Sequence, residues 1–155
     1  MDEAVGIVTR GHRVASGACG DPRFPEGTIA PQLAFFRERV PGFDHHLGAP
    51  AYPGTINLGF PETVVRIGAP EIRVEGVRWT AHFPPENFFL SRCEVAPEGL
   101  PATPAFLYVP DPATKPDHFQ ARSIVELLAP FIPRLRYGMR AVLRYDPRAL
   151  EIVAG

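Results

Sequence analysis

Nineteen prolines and fourteen glycines are spread along the whole of this 155-residue chain. Proline removes a backbone donor and breaks a helix interior, and glycine weakens a helix wherever it falls, so long helices are excluded almost everywhere. Short strands joined by turns are what such punctuation leaves. There is no internal repeat and no low-complexity tail. With 45% hydrophobic and 21% charged residues, the chain is expected to form one soluble domain over residues 1–155 with a core of its own.

The strand candidates follow in order. Residues 5–14 are apolar and β-branched, and residues 55–60 follow a Pro-Gly turn. Residues 63–67, 72–74 and 77–83 are shorter runs, the last two flanking Glu75-Gly76 as a hairpin turn. Residues 87–95, 105–109, 141–145 and 151–153 complete the set.

Two helices are expected. Residues 31–40 place Leu33, Phe36 and Val40 on one face, with Pro31 suited to a first helical turn. Residues 123–129 form the other, ended by Pro130. The architecture these elements imply is all-β dominated: a barrel-like domain with two short helices.

Charge and cysteine content exclude several classes of function. The formal net charge is −1, so no broad field recruits nucleic acid or an anionic membrane. Fifteen of the sixteen basic residues are arginine, the exception being Lys115, and no Gly-Lys-Ser/Thr exists to build a Walker-type loop. Cys19 and Cys93 have no metal-binding spacing and read as free thiols. No apolar run reaches the roughly 20 residues a membrane helix needs, and Met1-Asp2-Glu3 lacks a basic signal-peptide start, so a cytoplasmic location is expected.

Chemistry concentrates in Ala51-Tyr52-Pro53-Gly54-Thr55-Ile56-Asn57-Leu58. Residues two apart on a strand share a face, which sets the Thr55 and Asn57 oxygens side by side next to a tight turn. Upstream, Ser16-Gly17-Ala18-Cys19-Gly20-Asp21 carries small residues that let backbone N–H groups approach an anion. The two pieces together suggest a phosphate and metal site. The plainer alternative is that Thr55 is a good strand residue, Asn57 a turn residue, and the glycine-rich stretch a surface loop.

Taken in order, the strand, Ser-Gly-x-x-Gly-Asp, the helix, Tyr-Pro-Gly-Thr-Ile-Asn-Leu and the later Ile-Val-Glu-Leu-Leu-Ala-Pro resemble the archaeal CTP-dependent riboflavin kinases. The resemblance spans roughly residues 11–145 and is most specific at Tyr52 to Leu58. It implies a small closed cradle-loop β-barrel that transfers the terminal phosphate of CTP to riboflavin, giving FMN and CDP with Mg²⁺. It implies Mg²⁺ on Thr55 and Asn57, and nucleotide phosphates on the loop of Ser16, Gly17, Ala18, Cys19 and Gly20. Thr and Asn oxygens are neutral, hard ligands, so the ion is expected to arrive with the nucleotide.

Three further assignments stay two-sided. Glu126 matches the family's segment near the active site, where it would position or deprotonate the attacking hydroxyl; with Ser123 it also reads as a capping box. Thr114, Lys115 and His118 correspond to a loop on the flavin side, and equally to a solvated Pro-rich loop. Phe35, Phe36, Phe83, Phe88, Phe89 and Trp79 offer rings for a flavin, although most are expected in the core. His45-His46 are adjacent and lack zinc spacing.

The chain departs from the family at Pro22, which removes a donor from the phosphate loop, and at Tyr137-Gly138-Met139, which stands where an acidic turn is usual. These departures motivate a second reading, a non-catalytic flavin- or nucleotide-binding barrel.

Overall fold

The computed structural model describes residues 1–10, 27–114 and 123–155. Strands β1 (Asp2–Thr9), β2 (Ile56–Gly59), β3 (Thr63–Ile67), β4 (Ile72–Val77), β5 (Glu86–Pro97), β6 (Thr103–Pro110), β7 (Ile124–Leu128), β8 (Arg140–Tyr145) and β9 (Leu150–Ala154) dominate. Helices α1 (Ile29–Arg39) and α2 (Phe43–Leu47) lie between β1 and β2. The fold is therefore mostly β with two short helices, as the punctuation requires.

Seven strands form one antiparallel sheet in the order β4-β5-β6-β7-β2-β1-β8, and β8 returns to pair with β5. Six of them thus close a ring of hydrogen bonds. Length makes the closure possible: β5 runs for twelve residues. Near its start it pairs with β4, from Val77↔Glu86 to Ile72↔Leu90, and farther along the same edge pairs with β8, from Cys93↔Tyr145 to Pro97↔Ala141. Its other edge is taken by β6. Strands β3 and β9 pair separately as a two-stranded ribbon.

Strand alternation divides the apolar residues between two cores. On β6, Ala105 and Leu107 join one cluster with Val8, Leu58, Val95, Leu127 and Leu143. Phe106 and Tyr108, on the opposite face, join a second with Ile29, Leu33, Phe36, Phe43 and Phe88. The second cluster explains the helices: Ile29, Leu33, Phe36 and Val40 follow helical spacing and are all buried, and Val40 leaves the helix in an extended conformation just before Pro41. Phe36 meets Phe88 edge-on at 5.4 Å, and Phe43 stacks on Phe106 at 5.0 Å. Phe36, Phe88 and Trp79 are accordingly core residues rather than free faces for a ligand.

Residues 123–129 overturn the helix expected there, and with it the capping box: they hold β7, paired with β2 on one side and β6 on the other. A short apolar run fits strand or helix equally, and here neighbours on both edges take its backbone hydrogen bonds. Val125 and Leu127, two apart, enter the first core.

The hairpin expected at Glu75-Gly76 is also absent. Both residues lie inside β4, where the register with β5 shifts between Val74 and Val77. Gly76 has φ +63° and its N–H donates to Asn87 Oδ1 at 2.9 Å, so the glycine serves a bulge and not a reversal. Residues 78–83 then continue without strand structure. Helix α2, unforeseen in the sequence, is a single turn between left-handed Gly42 and Gly48. His46 Nε2 on it donates to the Ala105 carbonyl at 2.8 Å and its ring lies against Phe106, which gives the histidine a packing role.

Candidate functional site

The site begins at the loop entering β2. Ala51 bridges to Pro130 and the Tyr52 N–H donates to the Ala129 carbonyl at 2.9 Å, which ties this loop to the end of β7. The Gly54 N–H then donates to the Tyr52 carbonyl at 2.9 Å, closing a γ-turn over Pro53, whose fixed φ suits it. The chain leaves that turn as Thr55 and enters β2.

Asn57 faces Glu126 across the β2–β7 ladder and Thr9 across the β1–β2 ladder. Thr55 Oγ1 donates to Glu126 Oε1 at 3.3 Å. Thr55, Asn57 and Glu126, each half-buried, are therefore brought together. A hydroxyl has one proton to give and two lone pairs. With its proton directed to Glu126, Thr55 is left to act as an acceptor or ligand toward the pocket beside it.

That pocket measures about 530 Å³. Thr9, Thr55 and Asn57 supply oxygens to its wall, and Phe131, Arg134, Arg136 and Tyr137 enclose the far side. None of its described lining residues is acidic. Tyr52 and Phe131, both exposed, approach at 5.8 Å between ring centroids. Arg134 holds a left-handed backbone with φ +67°, unusual for a residue with a side chain and a form of strain that recurs at ligand sites.

Behind Glu126, on β6, stands the buried Tyr108, whose hydroxyl donates to Gln32 Oε1 of α1 at 2.6 Å. Burial, and then the charges of Glu126 and Glu86, push its phenol well above the ordinary value, so it stays neutral. Glu86 is itself buried and accepts a hydrogen bond from Trp79 Nε1 at 2.5 Å.

Thr114 lies apart from the pocket. Its hydroxyl accepts the Asn87 N–H at 2.9 Å and donates to the Asp111 carbonyl, fastening the turn after β6 to β5. Ser16, Gly17, Ala18, Cys19 and Gly20, and likewise Pro22, Lys115 and His118, lie outside the described residues. Cys93 is a free, buried thiol, and burial pushes its pKa up, which leaves it unreactive.

The oxygen set of a hydroxyl, an amide and a carboxylate suits a hard cation such as Mg²⁺ that keeps waters and binds substrate phosphates. Among the described residues no three His, Cys, Asp or Glu side chains gather around one point, which is the pattern a transition metal would need. No helix among the described residues is long and apolar enough to cross a membrane.

Of the pocket residues after β7, the sequence marks Tyr137 only as a departure from the family, and Phe131, Ile132, Arg134, Leu135 and Arg136 carry no assignment there. Their signal is two arginines flanked by aromatic residues in Phe131-Ile132-Pro133-Arg134-Leu135-Arg136-Tyr137, a composition suited to planar and anionic ligands. Compared with known proteins, the chain matches no family model, no curated protein and no solved structure.

Proposed function

We propose that this protein is a phosphotransferase resembling the CTP-dependent riboflavin kinases, moving the terminal phosphate of CTP to riboflavin to give FMN and CDP. The observation that carries this reading is the convergence of Thr55, Asn57 and Glu126 beside a pocket with arginines and exposed aromatic rings. Phosphoryl transfer asks a protein mainly for positioning and for charge neutralisation, and these residue types supply both.

Thr55 and Asn57 would hold Mg²⁺, which when bound with the nucleotide neutralises charge on its phosphates. Arg134 and Arg136 would meet the phosphates, and Tyr52 and Phe131 would offer faces to a planar base. Glu126 would accept the proton of the ribityl hydroxyl as its oxygen attacks the terminal phosphorus. The bond from that phosphorus to the bridging oxygen breaks, and CDP leaves with the electron pair.

The test is FMN formation from riboflavin with Mg²⁺, run side by side with CTP and ATP. FMN is expected with CTP, and Asn57→Ala should lower turnover by ~10²-fold while circular dichroism and melting stay unchanged. Folded protein that makes no FMN with any nucleotide overturns the kinase. If it nonetheless binds riboflavin, FMN or cytidine nucleotides in calorimetry, the non-catalytic barrel replaces it.

A further inference from the structure

The turn at Tyr137-Gly138-Met139 is bound closely to β1. The Gly138 N–H donates to the Val8 carbonyl at 2.7 Å and the Val8 N–H donates to the Met139 carbonyl at 2.8 Å. The Met139 N–H reaches the Arg136 carbonyl at 3.3 Å, and Gly138 has φ +91°, the conformation that a type II turn demands of its third residue. Tyr137, the second residue of that turn, is thereby fixed in the pocket wall while its ring remains exposed.

Over that ring lies the guanidinium of Arg10, its carbon 4.6 Å from the centroid. Arg10 directly follows Thr9, which lines the same pocket. Among the described residues, Arg10, Arg134 and Arg136 form no ion pair, and neither do Arg39, Arg73, Arg78 and Arg140; what sets the first three apart is that Arg134 and Arg136 line the pocket and Arg10 lies on the ring of Tyr137 in its wall. A flat guanidinium resting on an aromatic face loses little freedom on binding and keeps its N–H edge available.

We infer that Arg10 is an anion-binding residue of this pocket, held in place by the Tyr137 ring, and that with Arg134 and Arg136 it receives the phosphates of a polyphosphate ligand. Tyr137 is the positioning residue. The inference rests on the phosphotransferase reading for the identity of the ligand, and its arginines stand whether or not turnover occurs.

The experiment measures binding by calorimetry, with inorganic tripolyphosphate and CTP as separate probes, for the full chain and three variants. The unaltered chain is expected to bind both. Arg10→Gln should weaken both by about tenfold, the loss of one charge-assisted contact. Tyr137→Leu should weaken both nearly as far, while Tyr137→Phe, which keeps the ring, should stay within about twofold of the original. Circular dichroism confirms that each variant folds.

Binding of tripolyphosphate by Arg10→Gln equal to that of the unaltered chain overturns the inference, as does no binding of either probe by the unaltered chain. Equal loss in Tyr137→Phe and Tyr137→Leu overturns the positioning role. Because the readout is binding, an inactive protein that binds tripolyphosphate through Arg10 upholds this inference while the kinase reading fails.

Discussion

Thr55 donates its hydroxyl proton to Glu126 Oε1 across 3.3 Å, joining residues 71 positions apart in the chain. The bond exists because β2 and β7 lie side by side with Asn57 opposite Glu126. It orients two groups at once: the Thr55 lone pairs toward the pocket and one oxygen of Glu126 toward β2.

That bond gives the first prediction. Thr55→Val keeps the shape but removes the proton, and on the proposed phosphotransferase reading it should lower kcat/KM for FMN formation by at least tenfold, with Thr55→Ser retaining most activity. Combining Thr55→Val with Glu126→Gln should lose less than the sum of the two, with a coupling of ~0.5–3 kcal/mol. Steady-state kinetics on the four proteins of the cycle measure it, and strict additivity would show that the two residues act apart.

The second prediction concerns the β4 bulge. Gly76 at φ +63° has open space around a would-be Cβ, so a substitution there meets backbone strain rather than a clash. Gly76→Ala should destabilise by ~1–2 kcal/mol in urea unfolding. Gly76→Asn should cost less, because asparagine enters the left-handed region more readily. Equal stability of all three would mean that the bulge relaxes.

The third prediction is a pH dependence. Hydrogen bonds from the Arg148 side chain, and then from its backbone N–H, lower the Asp146 carboxyl from 3.8 to about 2. A carboxyl lowered in the folded state favours folding wherever it is ionised. Its contribution is full well above about pH 4 and is lost as pH falls through about 2, below which folded and unfolded chains are both protonated. Carboxyl carbon NMR should place the midpoint near 2, and Arg148→Gln should raise it toward the ordinary value. An unmoved midpoint would assign the shift to another partner.

Much of the fold is legible in the sequence alone. The β3 boundaries follow from Thr63, Val64, Val65 and Ile67, since β-branched runs between turn residues have few other uses. Thr55 and Asn57 are marked by the two-residue period of a strand, and both line the pocket, although Thr55 lies one residue before β2. The α1 face follows from the spacing of Leu33, Phe36 and Val40, although the helix starts two residues earlier, at Ile29.

The misread segments share a cause. For residues 123–129, local preference permits helix or strand, and the flanking strands β2 and β6 settled it. Glu75-Gly76 has the composition of a reversal, but β4 pairs with β5 and not with the residues that follow it directly. Five residues of α2 are too few for a helical period to show.

By itself the sequence determined a chain of short strands and the helix α1, because proline and glycine leave little else, and it marked Thr55 and Asn57 as a candidate pair. Tertiary structure alone decided that six strands close into a ring, that Glu126 comes to Thr55, and that Arg10 lies on Tyr137. Each of these joins residues far apart in the chain, and such contacts depend on which strands pair, which no local preference encodes.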